Sequence, residues 1–356
     1  MKHEQVKNGT FQRKITSERM DSMSQFKQDF MEQPEAARLL LSSANEISEK
    51  SRKLDYSRIL FTGMGASLHA GSVAAAFLRS RGIDGDSVEM SELISYFSPD
   101  LLKNYGTIVL ISQSGESAEL LRFIDDNIGL LGRMTLITNN PLSTAGKRLE
   151  REKVFPLHAG KERSMGATKT FTNSILTTLL MAMTWSGTGI DFSKLPESIE
   201  EAFETDVTHL VELLAENPGR ILVARGYGIG VAKMARLMFA EVAKLSLVFY
   251  SGAAFRHGPV ELLNDRPVVM TMNPSGETSA LMEELHRDIY QKCKLITLTN
   301  FQSACERSIQ VSIGLPEIIA PIPMMAVLQK IANELALKRG FDPGKGIFGS
   351  KVTVKE

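Results

Sequence analysis

Three segments of this chain recur in the same order at nearly one spacing. Arg58-Ile59-Leu60-Phe61-Thr62-Gly63 is echoed by Arg220-Ile221-Leu222-Val223-Ala224-Arg225-Gly226, starting 162 positions on. Ser114-Gly115-Glu116-Ser117 closes the apolar run Ile108–Ile111; 161 positions on, Ser275-Gly276-Glu277-Thr278 follows Val268–Met272. Met134–Asn139 is matched by Leu295–Asn300, again 161 on. Each segment is a short apolar run rich in β-branched residues and closed by turn formers, the pattern of a buried strand. Helix-like segments lie between them, and strands alternating with helices make a parallel sheet with both faces covered. A chain of 356 residues can bury two such cores. The chain therefore reads as α/β, with a duplicated domain. The expected layout is a flexible tail over 1–16, a helical lead-in over 17–53 broken near Gln33-Pro34, and a first domain over 54–193. A helical bridge over 194–216, a second domain over 217–340 and a tail over 341–356 complete it.

Charge narrows the partners. Forty-one basic residues balance 41 acidic ones, so there is no electrostatic footprint for nucleic acid or an anionic membrane. The polar N-terminus has no signal-peptide core. The most apolar stretch, Ile175–Trp185, holds three threonines and is too short for a bilayer, so it is expected to be a core helix. Cys293 and Cys305 have no metal-ligand spacing and suit a reducing cytoplasm. No histidine pair has helical metal-ligand spacing, and no metal is expected. Gly63-x-Gly65 lacks the third glycine of a dinucleotide loop, since Leu68 stands there, and no cofactor is expected.

The two copies differ where chemistry would sit. Ser112-Gln113-Ser114 offers side-chain donors at the end of its strand, with Ser114 suited to cap the following helix. The first turn of that helix exposes unpaired N–H groups, and together they suit a phosphate. Asn273-Pro274-Ser275 offers fewer donors, and Pro274 has no N–H. Ser67 ends the first strand and can converge on the same anion. Ser164–Thr172, small and hydroxylated, either caps the apolar helix or touches a ligand. Arg236–Val248 reads as a helix, and Glu241 on it reads, by itself, as a residue of the solvated face. His257, between Arg256 and Gly258-Pro259, is held by an irregular backbone, and an imidazole so placed suits proton transfer.

Ser112-Gln113-Ser114-Gly115-Glu116-Ser117 closely resembles the phosphate loop of sugar isomerase (SIS) domains. The chain over about 17–356 resembles the double-SIS isomerase half of glucosamine-6-phosphate synthase and its shorter relatives. Glu32–Ala36, Ser67–Gly71, Thr168–Thr172, His257-Gly258-Pro259 and Val352-Thr353-Val354 fall in family order. The resemblance implies two tandem SIS domains, each a flavodoxin-like three-layer unit, with the C-terminal tail closing the active site. It implies that Ser67, Ser112, Gln113, Ser114 and Ser117 hold the 6-phosphate of a hexose. Gly65, Ala167 and Thr168 would be further substrate contacts. Glu241 matches the family's acid/base glutamate and His257 its ring-opening histidine, which reaches the site from the neighbouring subunit of a homodimer.

Departures from the family pattern bear on the reaction. No glutaminase half precedes residue 17, so no built-in ammonia source is expected. Met238 replaces a lysine three residues before the glutamate. The Schiff-base lysine of the tail aligns with Ser350, and Lys351 lies one residue late. Phe255–Glu261 is similar to the deglycase form of the histidine segment, whereas the phosphate loop is more like that of the synthase and deaminases. The resemblance thus implies cleavage of the C–N bond of an amine-bearing hexose 6-phosphate, by a deglycase ahead of a glucosamine-6-phosphate deaminase. A synthase-like aminotransferase acting through Lys351 and a non-catalytic sugar-phosphate sensor are the alternatives.

Overall fold

A computed structural model of the chain describes residues 23–351. The expected tail over 1–16, the start of the lead-in and Val352-Thr353-Val354 lie outside the described residues. The first sheet contains β1 (Ile59–Gly63), β2 (Gly85–Glu89), β3 (Thr107–Ile111), β4 (Met134–Thr138) and β5 (Val154–Pro156). Its spatial order is β2-β1-β3-β4-β5, with all pairings parallel. The second sheet contains β6 (Arg220–Ala224), β7 (Val248–Ser251), β8 (Val268–Asn273), β9 (Lys294–Thr299) and β10 (Ser308–Gln310). Its order, β7-β6-β8-β9-β10, is the same flavodoxin-like order counted from its own first strand, again all parallel. The sequence echoes are therefore two copies of one α/β unit.

Helices on both faces bury the strands, which is why the runs are apolar throughout instead of alternating. Every residue of β1, β3, β4, β6 and β8 is buried. Each large apolar side chain so enclosed contributes about 1.5–3 kcal/mol. The domains meet through equivalent helices, Ala66–Ser80 and Gly228–Met238, which pack against each other. A Cβ on Gly230 would lie 2.7 Å from the His69 carbonyl oxygen, so only glycine permits the approach. Lys169–Ser186, the expected core helix, is buried along most of its length, as is Pro321–Lys338. Among the described residues no helix is long and apolar enough to cross a membrane.

Among the described residues the lead-in forms three helices, Gln25–Met31, Gln33–Ser42 and Ala44–Ser51. Pro34 stands in the first turn of the second, where its missing N–H goes unused. The segment expected as one helix over Arg236–Val248 is divided. The α-helix Gly228–Met238 runs into a single π turn, Phe239–Ala243, and stops at Lys244 in the left-handed region (φ 54°); Val248 already belongs to β7.

Candidate active site

In each sheet the chain leaves its first strand on one side and then crosses to the other. That reversal leaves a crevice beyond the carboxyl ends of β1 and β3, the place where open α/β sheets bind ligands. A cavity of about 650 Å³ opens there. Gly65, Ser67, Ser112, Gln113, Ser114, Ser117 and Ala167 line it, and so do Glu241 and Lys351 from opposite ends of the sequence.

The loop after β3 is built by its own side chains. The Gly115 N–H donates to Ser112 Oγ at 3.2 Å, and the Glu116 N–H donates to Ser114 Oγ at 3.1 Å. Gly115 is left-handed (φ 67°), and a Cβ there would lie 2.1 Å from Ser143 Oγ. The following helix, Ala118–Asp126, starts three residues later than expected, with Ser117 and not Ser114 at its N-cap. The left-handed Gly115 delays the helix and turns the serines into a loop facing the cavity. Glu119 in the first helical turn also lines it, and its Oε2 has no hydrogen-bond partner among the described residues.

Across the cavity stands Glu241, carried by the π turn. Burial pushes its carboxyl up to about 7, and the charges of Lys351 and Lys244 work against that rise. A carboxyl in that range exchanges protons near neutrality in both directions, as general acid–base chemistry needs. The tail supplies Phe348, Gly349, Ser350 and Lys351 to the wall. Lys351 Nζ donates to Glu162 Oε2 at 3.0 Å and to the Ser164 carbonyl.

Glu162 carries no motif that marks it in the sequence. Its side chain is fully buried and organises the loop before the helix Lys169–Ser186. Its Oε1 accepts from the Thr168 N–H, the Thr168 hydroxyl and the Thr170 N–H at 2.8, 3.1 and 3.1 Å. Its Oε2 accepts from the Thr170 hydroxyl at 2.6 Å. Asp29 holds the other end of this loop, accepting from the Arg163 and Ser164 N–H groups at 2.7 Å each. Lys169, buried and facing Asp29 at 3.5 Å, also pairs with Glu32. The lead-in helix is thereby fastened to the cavity wall.

Two expected site residues stand elsewhere. Thr168 is buried against Glu162 and is not part of the cavity lining, while Ala167 and Thr170 are. His257 ends the short helix Gly252–Arg256 on the second domain and is exposed, outside the cavity lining of its own chain. Among the described residues no cluster of His, Cys, Asp or Glu is placed to hold a metal ion.

The equivalent loop of the second sheet is held by the chain's own side chains. Glu317 Oε2 accepts from the Glu277 N–H at 3.2 Å, and Asn300 Oδ1 accepts from the Ser275 N–H at 2.6 Å. A Cβ on Gly276 would lie 2.1 Å from the Glu317 carboxyl, so the glycine makes room for it.

Residues 213–313 match the SIS domain family model. The glutamine–fructose-6-phosphate aminotransferase of Thermococcus kodakarensis is 26% identical over 339 residues, covering 89% of this chain and 56% of that protein. The chain spans about half the length of the curated relatives it matches. The C-terminal domain of glucosamine-fructose-6-phosphate aminotransferase from Francisella tularensis superimposes with a TM-score of 0.78 at 18% identity, covering 91% of this chain and 99% of that one. Glucosamine-6-phosphate deaminase from Thermotoga maritima superimposes with a TM-score of 0.70 at 20% identity, covering 90% and 99%. These two likenesses show the fold. Taken with the duplicated sheet order, they show two α/β domains of one fold in tandem, the second of which contains the segment that matches the SIS domain model.

Proposed function

We propose that the chain is a phosphosugar enzyme that cleaves the C–N bond of an amine-bearing hexose 6-phosphate, a 6-phospho-ketosamine or glycosamine deglycase. The observation that carries this is a donor-rich loop and a half-buried glutamate, raised to about 7, lining one cavity. Ser67, Ser112, Gln113, Ser114 and Ser117 hold the phosphate. Glu241 takes a proton from the carbon beside the carbonyl or iminium group and returns it to the neighbouring carbon. The amine-bearing carbon then becomes an imine, which water hydrolyses to release the amine. His257 opens the sugar ring and comes from the second subunit of a homodimer, in keeping with its exposure in a single chain. Incubation with fructosamine 6-phosphates and with glucosamine 6-phosphate, followed by assay of released amine or ammonia, tests this. Release from a fructosamine 6-phosphate supports the deglycase, release from glucosamine 6-phosphate alone makes it a deaminase, and release from neither refutes both.

One observation favours a second reading, a synthase-like aminotransferase or isomerase: Lys351 lines the cavity, although it lies one residue late in the tail. That reaction needs the Lys351 amine to form an imine with fructose 6-phosphate. Borohydride trapping would fix such an adduct on Lys351, and its absence excludes this reading.

A further inference from the structure

We propose that Glu162 is a positioning residue, which holds the Lys351 ammonium at the reacting end of the cavity with one N–H left for the substrate. This rests on the reading of the cavity as a hexose-phosphate site. An ammonium has three hydrogens. Glu162 Oε2 and the Ser164 carbonyl take two, and Lys351 lines the same cavity as Glu241. The lysine comes from the tail, and among the described residues Glu162 is the one carboxylate that forms an ion pair with it. Glu162 itself is rigid, because Thr168 and Thr170 donate four further hydrogen bonds to it. A flexible four-carbon side chain is thereby fixed by a buried, fully satisfied carboxylate, the arrangement that makes a charged contact precise. Lys351 is also the first of the charges that oppose the rise at Glu241, so the two groups lie within electrostatic reach.

The geometry supplies a selective probe. In Glu162→Gln, the amide oxygen can replace Oε1 and keep all three of its donors. The NH₂ that replaces Oε2 can donate to the Thr170 hydroxyl but opposes the Lys351 ammonium, so the loop survives and the pair is lost. Lys351→Met removes the same pair from the other side. The two variants and their double form a cycle, read as kcat/KM on whichever substrate the panel identifies. Each single change is expected to lower it roughly 10²-fold, mainly through kcat, as for a misplaced catalytic contact. The double variant is expected to be no worse than the worse single one. The acid limb of the pH profile moves to higher pH in Lys351→Met, which a purely structural tail contact would not cause. Losses that multiply in the double variant, or a Glu162→Gln enzyme with unchanged kcat, overturn the proposal.

With no turnover in the panel, the same cycle is read in affinity for fructose 6-phosphate, with melting temperatures as a folding control. Wild-type protein that binds, with independent effects in the cycle, removes the positioning role alone. Wild-type protein that neither binds nor turns over removes the sugar-phosphate reading and the positioning role together.

Discussion

Replacing Glu241 by Gln should make the protein more stable at neutral and alkaline pH. Burial raises this carboxyl from 4.5 to about 7. An acid raised in the fold contributes most below its unfolded pKa, and that contribution is lost as pH climbs towards the folded value. The distance from 4.5 to about 7 is worth about 3 kcal/mol, at about 1.4 kcal/mol for each pH unit. Below pH 4.5 the wild type and Glu241→Gln both carry a neutral group, and their stabilities should differ little. Between pH 4.5 and about 7 the variant should draw ahead, and above that its lead should level off at about 3 kcal/mol. Urea denaturation of both proteins at half-unit steps from pH 4.5 to 8.5 measures the difference directly. Parallel pH dependences would refute the reasoning, because they would mean that Glu241 titrates alike in the folded and unfolded chains.

Three other perturbations follow from the same geometry. Lys169→Met strips a buried cation from Asp29 and Glu32, and should cost about 3 kcal/mol in chemical denaturation; the low end of the usual range applies because Asp29 keeps Arg163 and two backbone N–H groups. A loss under about 1 kcal/mol would contradict the fastening role of this cluster. Glu317→Ala should free the Glu277 N–H of the second loop, so phosphate titration followed by ³¹P NMR should rise from one site per chain to two, and unchanged stoichiometry would show that the carboxylate is not standing in for an anion. If His257 serves the neighbouring subunit, mixing inactive Glu241→Gln and His257→Ala chains should restore about a quarter of wild-type activity, because half of the reassorted dimers regain one intact site of two. No recovery would place Glu241 and His257 of one chain in the same site.

The fold was legible because a buried parallel strand cannot hide its pattern. Ile108–Ile111 and Val268–Met272 are apolar at every position, and their shared spacing exposed the duplication. The phosphate loop was legible for a similar reason, since hydroxyls and glycine directly after a buried strand have few other uses. Its geometry was only partly so: Ser114 suits a helix cap, yet the left-handed Gly115 hands that position to Ser117. Glu241 was opaque to periodicity. A glutamate among apolar neighbours on a helix is ordinarily solvated, whereas here it is half-buried and lines the cavity beside Leu237. Only the family resemblance drew attention to it. Glu162 gave no local sign at all, because its purpose depends on Thr168, Thr170 and a lysine 189 residues away.

The central claim is that Glu241 moves the proton while the serine loop holds the phosphate. The rate of amine release from a 6-phosphorylated substrate by Glu241→Gln tests it most directly, since this variant is expected to be folded and more stable than wild type. A fall of ~10²–10⁴-fold is expected, with binding of the sugar phosphate retained. A Glu241→Gln enzyme as fast as the wild type would contradict it.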